Sequence, residues 1–65
     1  MNWDQVEGRW KEFKGKAVEQ WGEITDDDWD RMAGKRDQVV GYVQKKFGDD
    51  RAAAERRVDD WTRGL

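Results

Sequence analysis

The chain is 65 residues long, with 43% charged residues, 35% hydrophobic residues and a formal net charge of -2. That length accommodates one small domain, taken as residues 1–65, and the near-neutral balance does not force the chain open by self-repulsion. With no Cys and no His, disulfide staples, thiolate metal sites, cysteine nucleophiles and imidazole acid–base chemistry are excluded.

Asn2 begins the first element. Trp3, Val6, Trp10, Phe13, Ala17 and Trp21 follow at spacings of three and four, the period of one helix face. Asn2 with Gln5 matches a capping box, and Gly22 suits a left-handed stop. The spacing predicts a helix over 3–21, with Glu7–Lys11 and Glu12–Lys16 as supporting pairs. Thr25 followed by Asp26, Asp27 and Asp28 is a helix start, because a hydroxyl caps the backbone and carboxylates meet the positive dipole end. It opens a second helix over 26–33 that carries Trp29, Met32 and Ala33. Val39, Val40, Val43 and Phe47 mark a third over 35–47, stopped by Gly48. Asp49 and Asp50 offer an acidic cap to a fourth over 51–63, with Ala54, Val58 and Trp61 on one face and Asp59–Arg63 as a pair. Helices two and three can also be read as one kinked helix.

The fold class is therefore all-α, a single-domain bundle of about four short helices. Val, Ile, Leu and Phe number only ten, so few that the aromatic rings must fill the core. Five Trp are present, and each large ring can bury ~150–250 Å². The expected core is Trp3, Val6, Trp10, Phe13, Ala17, Trp29, Met32, Val39, Val43, Phe47, Val58 and Trp61. Trp21, close to a helix end, is expected to be partly exposed.

Residues 3–22 echo residues 29–48 without a gap. Trp3/Trp29, Asp4/Asp30, Gly8/Gly34, Gly15/Gly41 and Gly22/Gly48 are identical. This suggests two related helical halves with an approximate two-fold repeat. The glycines recur every seventh residue, which places a stripe opposite the apolar face. It reads either as a smooth strip for a partner's backbone or, preferred here, as a helix that is loose on its wet side or kinked at Gly8 and Gly34, with caps at Gly22 and Gly48 and a break at Gly34.

Trp10-Lys11-Glu12-Phe13-Lys14-Gly15-Lys16-Ala17, Trp21-Gly22-Glu23-Ile24-Thr25-Asp26-Asp27-Asp28 and Gly34-Lys35-Arg36-Asp37-Gln38-Val39-Val40-Gly41 resemble the CsbD-like family of small hydrophilic bacterial stress-response proteins. The resemblance spans about residues 3–61. It implies a compact all-α domain, a cytoplasmic location, raised abundance under stress, no catalytic residue and no cofactor. Asp49-Asp50 departs from the more usual aromatic or polar residues after Gly48.

Candidate chemistry is sparse. Asp26, Asp28 and Asp30 match the first ligand positions of a calcium loop, but Arg31 and Asp37 stand where Gly and Glu are needed, so no metal is expected. The carboxylate pairs Asp26/Asp28, Asp49/Asp50 and Asp59/Asp60 fall at caps or on polar faces. Acid–base work needs a buried carboxyl, so no enzyme and no small-molecule substrate is expected. Basic and aromatic residues interleave, and the candidate interaction surface is Lys11, Lys14, Lys16, Trp21, Lys45 and Lys46. Two functions are weighed. One is a non-enzymatic stress protein that binds a protein partner or protects by abundance. The other is a nucleic-acid or anionic-membrane binder using this face. A sequence pI of about 5.0 argues against nucleic acid. The need for Trp3, Trp10, Phe13 and Trp21 in the core argues against a membrane helix. No apolar run approaches the ~20 residues of a membrane span, and no secretory signal pattern is present.

Overall fold

The computed structural model describes residues 2–65. Local signals set most helix ends. Asn2 accepts from the backbone N–H of Gln5 while the Gln5 side chain accepts from that of Asn2, closing the expected capping box. It starts α1, Trp3–Gly8, and α2 follows over Trp10–Trp21. The Thr25 hydroxyl accepts from Asp28 N–H at 3.1 Å and starts α3, Asp26–Met32. α4 covers Arg36–Phe47 and ends at Gly48 with φ +68°. The Asp50 carboxylate accepts from Ala53 N–H at 2.8 Å and starts α5, Arg51–Arg63. The all-α expectation holds, with five helices among the described residues.

Two boundaries differ from the sequence reading. The helix expected over 3–21 is two helices, broken at Arg9 (φ −122°, ψ 38°). Gly8 is a weak helix former, and the break lets α1 cross the turn between α3 and α4. There the Trp3 indole N–H donates to the Gly34 carbonyl at 2.7 Å. Gly34 has φ +74°, and a Cβ on it would lie 2.7 Å from Glu7 Cγ and 3.2 Å from Glu7 Cα. The left-handed backbone favours glycine, and the close approach requires it. Ala33 (φ 52°) and Gly34 are both left-handed, so α3 and α4 are separate helices rather than one kinked helix.

The repeat survives as matched ends. Shifting Trp10–Trp21 by the offset of 26 gives Arg36–Phe47, the limits of α4, and Arg9 and Lys35 are the matching N-caps. The α4–α5 pairing lies outside the repeat, since α5 has no counterpart in it.

The core joins Val6, Trp10, Phe13, Ala17, Trp29, Met32, Val39, Val43, Val58 and Trp61 as expected, and adds Trp21, Ile24, Val40 and Ala54. Three expectations change. Trp21 is only 5% exposed, because its ring lies 5.0 Å from that of Trp61. Phe47 is 38% exposed, being the last residue of α4, and the Arg57 guanidinium covers its ring at 4.1 Å. Trp3 is half-buried at the edge of the core. Trp61 is the centre of the aromatic cluster, with the rings of Trp3, Phe13, Trp21 and Trp29 at 6.4, 6.3, 5.0 and 6.5 Å.

Indole N–H groups tie the backbone together. The last four carbonyls of a helix have no partner within it. Trp29 is in that last turn of α3, and its carbonyl accepts from the Trp10 indole at 2.6 Å. The Trp29 indole in turn donates to the Trp10 carbonyl at 2.7 Å. The two rings stack 3.7 Å apart at an interplanar angle of 3°. This reciprocal clasp fastens α2 to α3.

Candidate interaction surface

No polar or charged residue is buried among those described. The ionisable groups therefore form the surface, and most acids of the paired motifs are engaged. Asp26 bonds Lys14 at 2.7 Å, Asp59 bonds Arg36 at 2.8 Å, and Asp37 bonds Arg51 at 3.0 Å. Asp49 bonds Arg57, Asp60 bonds Arg63, and Asp28 lies 4.0 Å from Arg31. The pairs expected within helices, Glu7–Lys11, Glu12–Lys16 and Asp59–Arg63, are not formed. The break after Gly8 separates the first, and Arg36 of α4 takes Asp59 from Arg63. The hydrogen bond from Lys14, with its positive charge, holds the Asp26 carboxyl below the usual carboxylate range. Among the described residues, no three carboxylates converge to hold a metal ion.

The six residues of the candidate surface have different fates. Lys14 is committed to Asp26. Trp21 is in the core. Lys46 donates to the Glu23 carbonyl at 3.0 Å, just beyond the C-terminus of α2. Its ammonium lies 5.8 Å from the centre of the Tyr42 ring. Lys11, Lys16 and Lys45 are exposed and make no ion pair with a described residue. The six do not form one basic–aromatic face, because the aromatic member points inward.

A feature absent from the sequence reading is a groove of about 690 Å³ between α3 and α4. Arg31 and Met32 line it from α3, and Gln38, Gly41, Tyr42 and Lys45 from α4. Gly41 was visible in advance only as a member of the glycine rhythm. The six glycines of that rhythm now divide in two. Gly22, Gly34 and Gly48 have positive φ and serve turns, whereas Gly8, Gly15 and Gly41 are helical and would meet nothing within 4 Å if given a Cβ.

Trp10 of the clasp, the Thr25 cap of α3 and the positive-φ Gly22 and Gly34 lie within the segments on which the family resemblance rests. The model of the CsbD-like family matches residues 4–56. The chain belongs to the CsbD-like family. Among its relatives, the UPF0337 protein ECA0631 of Pectobacterium atrosepticum is 56% identical over 61 residues, covering 94% of this chain and 88% of that protein. The UPF0337 protein YjbJ of Escherichia coli K12 is 52% identical over 61 residues, with the same coverage of 94% and 88%. The UPF0337 protein NE2439 of Nitrosomonas europaea is 52% identical over 59 residues, covering 91% of this chain and 63% of the relative. The CsbD-like family is associated with the stress response. No helix among the described residues is long and apolar enough to cross a membrane.

Proposed function

We propose that this chain is a non-enzymatic, cytoplasmic stress-response protein that acts as a folded protein-interaction module. The observation that carries this reading is the separation of side chains, with an apolar core and every described ionisable group outside it. Catalytic acids and bases are tuned by burial and by neighbouring charge. Here the groups are solvated or paired at the surface, an arrangement suited to recognition. Family membership supplies the stress context.

A bulk protectant would act through hydrophilicity alone and would not need the fold. The Trp29→Ala variant separates the two, because it deletes the clasp without changing charge. It is expressed at wild-type abundance in a strain lacking the native protein, with Gly15→Ala as the folded control, and survival is scored under osmotic, desiccation and envelope stress. The module reading expects Gly15→Ala to restore survival and Trp29→Ala to fail. Equal protection by an unfolded Trp29→Ala chain would overturn it. The nucleic-acid or membrane alternative gains no support from the geometry, since Trp10, Phe13 and Trp21 face the core.

A further inference from the structure

The groove between α3 and α4 is, we infer, the docking site for a short acidic peptide segment of a partner protein. The inference rests on the interaction reading above and names the chemistry of the partner. α3 and α4 are joined through the left-handed pair Ala33 and Gly34, and the groove opens between them. Gly41 is interior to α4, where glycine costs ~1 kcal/mol relative to alanine. Its backbone is helical, and nothing lies within 4 Å of a Cβ placed on it. The fold therefore has no steric need for glycine there. Gly15 is equally open yet does not line the groove. What distinguishes Gly41 is that its missing side chain coincides with the groove and with the charges around it.

Those charges select the occupant. Asp37 is neutralised by Arg51 at 3.0 Å, and Asp28 faces Arg31 at 4.0 Å. Lys45 and Lys46 remain at one end without a carboxylate partner. The bond from Lys46 to the Glu23 carbonyl orients the ammonium but leaves its charge in place. This end is cationic on a protein whose net charge is -2. From Asp37 to Lys45 the helix rises ~12 Å at 1.5 Å per residue. That matches three or four residues of extended peptide at ~3.3 Å each. An acidic side chain pairs with Lys45 and Lys46, and a small neighbour fills the space over Gly41 beside the half-buried Tyr42. A nucleic-acid strand fits less well, because its phosphates repeat along the whole strand whereas the unpaired positive charge is confined to the lysine end. A peptide can place its carboxylates at the lysine end alone.

The test is a titration of the isotopically labelled full chain with a blocked octapeptide that carries Asp-Ala-Asp at one end and Ala at the remaining positions, followed by backbone amide shifts. The shifts are expected at Gln38, Gly41, Tyr42 and Lys45, and binding is expected to weaken as salt rises. Gly41→Leu, which fills the groove while leaving the thermal midpoint at or above wild type, and Lys45→Glu are each expected to weaken binding about tenfold or more. The proposal is overturned if groove amides do not move, if Gly41→Leu binds as well as wild type, or if a thymidine octanucleotide moves the same amides at lower concentration. The Trp29→Ala survival test reads the fold as a whole rather than the groove alone. If the peptide fails to bind but Gly41→Leu also fails to restore survival, the acidic-peptide assignment is overturned and the interaction reading stands.

Discussion

The clasp between Trp10 and Trp29 makes a quantitative demand on stability. Trp10 and Trp21 lie on the same helix and are 9% and 5% exposed, so Trp→Phe removes similar apolar area at each. Their indole N–H groups differ. That of Trp10 donates to the Trp29 carbonyl at 2.6 Å, whereas that of Trp21 is buried without a hydrogen-bond partner. Trp10→Phe therefore strands a buried carbonyl at the end of α3, at a cost of ~1–3 kcal/mol. Trp21→Phe removes an unpartnered polar group, which offsets part of its lost contact. A 65-residue domain has a net stability of roughly 3–10 kcal/mol, so the difference is a large share of the total. At ~4–8 °C per kcal/mol for a domain of this size, Trp10→Phe should melt roughly 4–24 °C below Trp21→Phe. Thermal unfolding followed by circular dichroism at 222 nm reads both without relying on the altered fluorophore. Equal midpoints would refute the assignment of the indole–carbonyl bond as the fastening of α3.

Other substitutions probe the remaining devices. Gly15→Ala should stabilise the domain by ~1 kcal/mol through helix propensity, read as a higher urea midpoint. Gly48→Ala should cost ~1–2 kcal/mol for its left-handed backbone alone. Gly34→Ala should cost more than Gly48→Ala, because its new Cβ also clashes with Glu7 Cγ at 2.7 Å and crowds Glu7 Cα at 3.2 Å; equal losses in urea titrations would contradict the close approach of α1. Thr25→Ala should cost ~0.5–2 kcal/mol by removing the α3 cap, and Thr25→Ser should restore most of it. Because Lys14 lowers the Asp26 pKa, that pair stabilises the fold above the ordinary carboxylate pKa, and its contribution is lost as pH falls through the lowered value. In Lys14→Met the carboxyl resonance of Asp26 should titrate at higher pH than in wild type; an unchanged titration would mean the ion pair does not persist in solution.

What the sequence disclosed was what short-range chemistry determines. Asn2 with Gln5, Thr25 with Asp28, and Gly48 act within four residues of themselves, so their roles were legible. The break at Arg9 was signalled by the kink read at Gly8 and by the repeat, in which Arg9 is the counterpart of Lys35, although the apolar stripe runs through it without interruption. Ile24 is a lone apolar residue in a polar connection and carries no period, so its burial could not be read. Trp21 and Phe47 occupy equivalent places in the repeat and end α2 and α4. Trp21 meets Trp61, whereas Phe47 is covered by the guanidinium of Arg57 and stays 38% exposed. That difference is set by where α5 lies, which no local pattern encodes. The groove depends in the same way on how α3 and α4 diverge, and the sequence announced it only through an interior glycine that no turn required.

The fold sequesters its indole rings, and acrylamide quenching of native tryptophan emission measures that directly. With Trp10, Trp21, Trp29 and Trp61 buried and Trp3 half-buried, the native chain should show a shallow Stern–Volmer slope that rises sharply when the chain is unfolded in urea. A native slope equal to the unfolded one would contradict the account.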